Sequence, residues 1–286
     1  MTTAAASPSA GPSDGAASRP SESEPSMETV SAGAGEMAVR PLGLAPEAAG
    51  VQIVWAHGWG VDHRLMAPLT ESFRTQAANW LIDFPGFGRS PRPPEDWGTA
   101  DYADAVAAWL KTLPQAEGAK RVWVGHSFGG RVAVQLAARH PETVDAIVLI
   151  AGAGLQRRRT PLQRLKRMLR GWSYKLLKTL TRDPEKRKAL AMRFGSADYR
   201  AAGAMRPIFV KVVQEDLSRE AERVRCPALL IYGALDQETP AEFGARYQRL
   251  MADAAFVELP GLDHYSVLGD GRHQVLARLK EFIDAL

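Results

Sequence analysis

One short stretch of the chain is built for nucleophilic chemistry. Gly125-His126-Ser127-Phe128-Gly129-Gly130 carries the pattern G-x-S-x-G. It follows an apolar run, Val122-Trp123-Val124, and opens an amphipathic run, Arg131–Arg139. A serine on a tight strand-to-helix turn needs nearly side-chain-free positions two residues before and after it, and Gly125 and Gly129 supply them. Such a turn lifts the Ser127 hydroxyl above a sheet. It also sets the hydroxyl at a helix N-terminus, where the dipole favours a developing oxyanion.

Serine needs a base, and the base needs an orienting acid. In a nucleophile-elbow fold these follow in the order Ser, acid, His. Asp236, in Gly233-Ala234-Leu235-Asp236, follows the apolar run Leu229–Gly233. His264, in Pro260-Gly261-Leu262-Asp263-His264, follows Phe256–Leu259. Both sit just past strand ends, where open α/β sheets place their sites. Glu238 and Asp263 compete for the acid role, and His273 for the base. His126 adjoins the serine, with its ring turned away.

Acyl transfer also needs two donors for the oxyanion. The expected pair is the backbone N–H of Phe128, just after the nucleophile, and that of Trp59 in His57-Gly58-Trp59-Gly60. The side chains of Trp59 and Phe128 are then expected to touch substrate, and His57 to brace the loop by hydrogen bonding. The stretch Asp83-Phe84-Pro85-Gly86-Phe87-Gly88-Arg89-Ser90 lacks the spacing and the Lys-Ser/Thr ending of a phosphate loop. It reads as a structural loop on the same face.

The elements that must hold these residues follow from periodicity. Val51–Ala56, Trp80–Asp83, Arg121–Gly125, Ala146–Ala151, Ala228–Gly233 and Ala255–Leu259 read as buried strands. Leu65–Arg74, Tyr102–Leu110, Gly129–Arg139, Ala241–Met251 and His273–Ile283 read as helices. Alternation of this kind predicts an α/β fold, with a mostly parallel, doubly wound sheet covered on both faces.

The alternation breaks over 153–225, which reads as a helical insert. Between Leu155 and Arg200 there are fifteen Lys and Arg against three Asp and Glu, although the whole chain of 286 residues carries only +4. Leu162, Leu165, Leu169, Trp172, Leu176 and Leu180 fall at helical spacing with basic residues between them, predicting an amphipathic basic helix. The core is thereby divided into 51–152 and 226–286. Residues 1–50 read as a disordered low-complexity tail, since Ala, Gly, Pro and Ser supply thirty-two of them and no aromatic residue is present.

One cysteine, Cys226, excludes an internal disulfide and a multi-cysteine metal site, and fits a reducing compartment. No run approaches roughly 18 uninterrupted apolar residues, and the start lacks a signal-peptide pattern. A cytoplasmic location is expected, with no cofactor, no metal and no nucleic-acid partner.

Taken together, His57-Gly58-Trp59-Gly60, Asp83–Ser90, Gly125–Gly130, Asp236 and His264 resemble the α/β-hydrolases over about Val51–Leu286, with the insert as their cap. Within that fold the chain most resembles the pimeloyl-carrier-protein methyl ester esterases of biotin synthesis and neighbouring carboxylesterases. It departs from many relatives at Asp263, where a small residue precedes the histidine. The resemblance implies a cofactor-independent serine esterase with the triad Ser127, His264 and Asp236. Those esterases bind acidic acyl carrier proteins through cap arginines, so Arg157, Arg158 and Arg159 become candidate contacts. An anionic lipid surface is the other partner that suits a basic cap. The same residues leave open a lipid-associated esterase or lipase, a C–C bond hydrolase, and a non-catalytic binding protein of this fold.

Overall fold

The structure is a computed structural model that describes residues 26–158, 168, 172, 179, 181, 183 and 197–286. Its centre is an eight-stranded sheet in the order β1-β2-β4-β3-β5-β6-β7-β8. The strands are β1 (Glu28–Ala32), β2 (Gly35–Gly43), β3 (Val51–Ala56), β4 (Ala78–Asp83), β5 (Lys120–His126), β6 (Ala146–Ile150), β7 (Ala228–Gly233) and β8 (Ala254–Leu259). From β4 through β8 every neighbouring pair is parallel; β1 and β2 run antiparallel at one edge.

The central strands are apolar without alternation because both faces are covered. On β5, Trp123 enters a core with Phe84, Tyr102 and Phe128, while Val122 and Val124 enter the opposite core with Trp55 and Ile150. Helices α2 (Thr99–Leu110) and α3 (Phe128–Arg139) pack together on the first face. Val275 and Leu279 of α8 (Arg272–Asp284) are buried on the second.

Two expectations change. Residues 28–43 form a hairpin where a disordered tail was expected, while 1–25 lie outside the described residues. Small residues hid the hairpin's apolar face, since Ala32, Met37, Ala38 and Val39 are buried. Gly33, at φ +57°, makes the turn, and a Cβ on it would come within 3.3 Å of the Ala105 backbone on α2. The single helix expected over 65–74 is three short turns: a 3₁₀ turn (His63–Leu65), α1 (Ala67–Thr70) and another 3₁₀ turn (Glu71–Phe73). Pro68 cannot donate a helical hydrogen bond.

Of the insert, the described residues include α4 (Ala197–Ala201), α5 (Arg206–Gln214) and α6 (Ser218–Ala221). Most of the expected amphipathic helix over 160–180 lies outside the described residues, as does Arg159. The chain returns to the sheet at β7, followed by α7 (Glu242–Leu250).

Candidate active site

The loops that follow β3, β4, β5, β6, β7 and β8 meet at the C-terminal ends of the parallel strands. Ser127 follows β5 with φ 48° and ψ −103°, in sparsely populated backbone space. Holding such a residue costs on the order of 1–3 kcal/mol, met by the surrounding structure. Its N–H donates to Ile150 O at 3.1 Å, and its carbonyl accepts from Gly130, Arg131 and Ala153. The glycine requirement is steric. A Cβ on Gly125 would lie 2.3 Å from the Gly129 carbonyl group, and one on Gly129 would lie 2.5 Å from Ala56 O.

Asp236, after β7, and His264, after β8, are both buried and meet directly: His264 Nδ1 lies 2.8 Å from Asp236 Oδ2. The other carboxylate oxygen, Oδ1, accepts the N–H groups of Glu238 at 2.7 Å and Thr239 at 2.8 Å. Burial pushes the Asp236 carboxyl up, but the hydrogen bond and charge of His264 and the Thr239 donors outweigh it, leaving it below its ordinary value. This carboxylate is ionised and its Oδ2 is directed at the imidazole.

Thr239 is a member of the cluster that the sequence reading missed. Its Oγ1 lies 2.8 Å from Asp236 Oδ2, 2.8 Å from Ala151 O and 3.1 Å from His264 Nδ1. Only its place three residues past the acid could have flagged it.

The competing residues separate clearly. Asp263 Oδ1 accepts from the N–H groups of Tyr265 and Ser266 and from the Ser266 hydroxyl, so this acid shapes the histidine turn. His273 is exposed on α8. Glu238 stays close: its Oε2 lies 3.5 Å from His264 Nε2, with the Glu238 side chain 58% exposed. No hydrogen bond joins Ser127 to His264 among the described residues. The Nε2 edge faces Glu238 instead, although Ser127, Glu238 and Thr239 line one cavity of about 370 Å³.

His126 turns away from the serine and braces His264. Its Nε2 lies 3.0 Å from His264 O, while its buried Nδ1 has no partner. Burial and the neighbouring His264 push its pKa down to about 3, so the ring is neutral and Nε2–H donates to the His264 carbonyl. His57 is buried as well. Its Nδ1 lies 2.6 Å from Gly58 O, and its Nε2 accepts the Phe84 N–H at 3.1 Å, which ties the loop after β3 to that after β4.

The loop after β4 is structural, as expected. Asp83 accepts from the His63 and Arg89 N–H groups and from His63 Nδ1 at 2.9 Å, and the Ser90 hydroxyl donates to Asp83 O. Asp62, His63 and Asp83 stand close enough together to be weighed as metal ligands. However, the oxygens of Asp83 already serve these donors, and Asp62 is paired with Arg64.

Among the described residues, neither the Trp59 nor the Phe128 N–H has a hydrogen-bond acceptor, although the next amide along, Gly129 N–H, donates to His57 O at 3.1 Å. The Trp59 ring packs against Phe87, Phe128 and Phe209 at centroid distances of 4.8, 5.5 and 5.1 Å. Trp59 and Phe128 therefore wall the cavity that Ser127 opens into. Arg157 reaches the acid loop, donating to Gln237 O and, at 2.8 Å, to Glu238 O. Exposed Arg158 lies 3.8 Å from Glu242.

Residues 53–279 match the model of the alpha/beta hydrolase family. The chain belongs to that family. It is 29% identical over 241 residues to a pimeloyl-[acyl-carrier protein] methyl ester esterase of Chromobacterium violaceum, covering 79% of this chain and 90% of the relative. Solved structures with the same fold include the enol-lactonase from Burkholderia xenovorans LB400, at TM-score 0.67 and 22% identity over 90% of this chain and all 100% of that one. A thermophilic esterase from Thermogutta terrifontis superposes at TM-score 0.65 with 20% identity, covering 91% of this chain and 98% of its own. Among the described residues of this hydrolase, no helix is long and apolar enough to cross a membrane.

Proposed function

We propose that this hydrolase cleaves carboxylic esters through Ser127, His264 and Asp236. The observation that carries the reading is the buried His264–Asp236 contact at 2.8 Å beside a cavity lined by the strained Ser127. Substrate entry displaces the exposed Glu238 carboxylate, and His264 Nε2 turns to the Ser127 hydroxyl; such contacts tighten in the complex. His264 takes the Ser127 proton as Oγ bonds to the ester carbonyl carbon. The N–H groups of Phe128 and Trp59 hold the oxyanion, each donor worth about 3 kcal/mol of transition-state stabilisation. Asp236 fixes the ring with its proton on Nδ1 and stabilises the imidazolium. The C–O bond then breaks, and the alcohol leaves with the proton from His264. Water, deprotonated by His264, attacks the acyl-enzyme and releases the acid.

The finer reading is a methyl ester carried on an acidic acyl carrier protein. The relative's activity and the basic insert support it, with Arg158 available on the surface. Arg157 is less free for this, because it holds the acid loop. A second reading, a lipid surface, rests on Met168 and Trp172, which are 53% and 72% exposed and four residues apart.

The test compares kcat/KM on one acyl methyl ester, free and carrier-bound, at low and high salt, with Ser127→Ala as the blank. A carrier preference that collapses with salt supports the carrier reading. Equal, salt-insensitive rates overturn it in favour of a small-molecule esterase. Hydrolysis surviving in Ser127→Ala overturns the nucleophile assignment.

A further inference from the structure

The cavity beside Ser127 is mostly apolar, walled by Trp59, Phe128, Phe209, Val212 and Val213, yet among the described residues a buried cation lines it. Arg131 is 9% exposed and sits on α3 four residues after the nucleophile, one helical turn and ~6 Å along the axis. Its Nη1 donates to Val212 O at 3.0 Å. Among the described residues it makes no other hydrogen bond and no ion pair.

Glu215 does not neutralise it directly. That carboxylate accepts from Thr99 N–H at 3.0 Å and from the Thr99 hydroxyl. Among the described residues Nε and Nη2 of Arg131 thus have no acceptor, and neither is sealed away from solvent-sized space. Burying an unpaired guanidinium is costly, and the cost is relieved when an anion joins it. A purely structural anchor for α5 would need only the one donor already used on Val212.

We propose that Arg131 receives a carboxylate at the far end of the acyl chain, so that the preferred substrates are half-esters of short dicarboxylic acids. The proposal rests on the ester reading given above and replaces its carrier-bound form, in which the far end of the acyl chain is joined to the carrier and offers no carboxylate. Apolar walls hold the methylene chain, and the free N–H groups of the guanidinium form charge-assisted bonds to the carboxylate. Burial also holds the guanidinium below its ordinary pKa, against the carboxylates of Glu215 and Asp216, and it stays protonated. Asp198 and Glu238 line the same cavity; both carboxylates are exposed or half-exposed and therefore screened, whereas Arg131 is not.

The experiment uses the monomethyl esters of succinate, glutarate and adipate. Each is paired with a methyl ester of equal length in which a methyl group replaces the terminal carboxylate. In the wild-type protein the best half-ester is expected to exceed its neutral partner at least about tenfold in kcat/KM, since a site built for a polar group rejects the analogue lacking it. Arg131→Met is expected to collapse that ratio towards one, chiefly through KM for the half-ester, and Arg131→Lys to restore part of it. A wild-type ratio near one, or an Arg131→Met variant that loses both esters equally, overturns the proposal.

The wild-type ratio decides the matter even where Arg131→Met fails to fold. If no ester is cleaved at all, the functional reading fails. Arg131 is then judged by the melting temperature of Ser127→Ala, which glutarate should raise and pentanoamide should not. Equal effects of the two compounds would overturn the proposal.

Discussion

Acidification tests the interior of the site through His126. The ring is buried against His264, with Nε2 on the His264 carbonyl and Nδ1 unpartnered, and its pKa falls from 6.5 in the unfolded chain to about 3. Below pH 6.5 the unfolded chain takes up a proton that the folded protein refuses. The folded state therefore keeps this contribution at pH 7 and loses it as pH falls from 6.5 towards 3. At about 1.36 kcal/mol per unit, the loss is about 3 kcal/mol at pH 4.5 and approaches ~5 kcal/mol in the acid limit. The assay is urea unfolding of the wild-type protein and His126→Gln at pH 7 and at pH 4.5. Glutamine keeps a donor for the His264 carbonyl and does not titrate. Ionisable groups remote from His126 contribute alike to both proteins and cancel in the difference. The stability advantage of the wild type should shrink by about 3 kcal/mol between the two pH values. A difference independent of pH would mean that the folded protein protonates His126 as readily as the unfolded chain, against the burial seen here.

Three further outcomes follow from the geometry. Ser127→Gly should abolish ester hydrolysis yet raise the melting temperature, since glycine relaxes a backbone at φ 48°; a fall in melting temperature would contradict the strain assignment. Thr239→Val should lower kcat more than it raises KM and destabilise the fold by about 1–3 kcal/mol, because the single buried hydroxyl proton shared between Ala151 O and Asp236 Oδ2 is lost; an unchanged kcat would remove Thr239 from the acid–base cluster. Gly125→Ala should lose the folded protein, as its Cβ would stand 2.3 Å from the Gly129 backbone; a soluble, active variant would show that the elbow can open.

The elbow was legible in the chain because its requirement is steric and local: two glycines, a serine, an apolar run before and an amphipathic run after. The parallel strands were legible because burial on both faces leaves an unbroken apolar signature, as in β6. The β1–β2 hairpin was not, because alanine and glycine fill its small gap against α2 and mimic a low-complexity tail. Pro68 divided a helix whose apolar spacing looked continuous. Thr239 and Arg131 escaped for another reason. Neither type signals function by itself, and each gains its role only when distant loops or α5 bring a partner to it. Glu238 was weighed as a rival acid, but its approach to the far nitrogen of His264 depends on the fold of the acid loop.

His264 hangs from the last strand of the sheet. β8 pairs with β7 alone, and its residues are less buried than those of β5 or β6. The serine and acid loops grow from interior strands that have neighbours on both sides. An edge of this kind belongs to the part of a protein that opens first on warming, well before the interior yields. With His264 as the proposed base, activity is then expected to be lost before the fold as a whole. On a rising temperature ramp the enzyme should fall silent while the tryptophans of β3 and β5 are still shielded, and on cooling it should recover as quickly as one strand can re-zip.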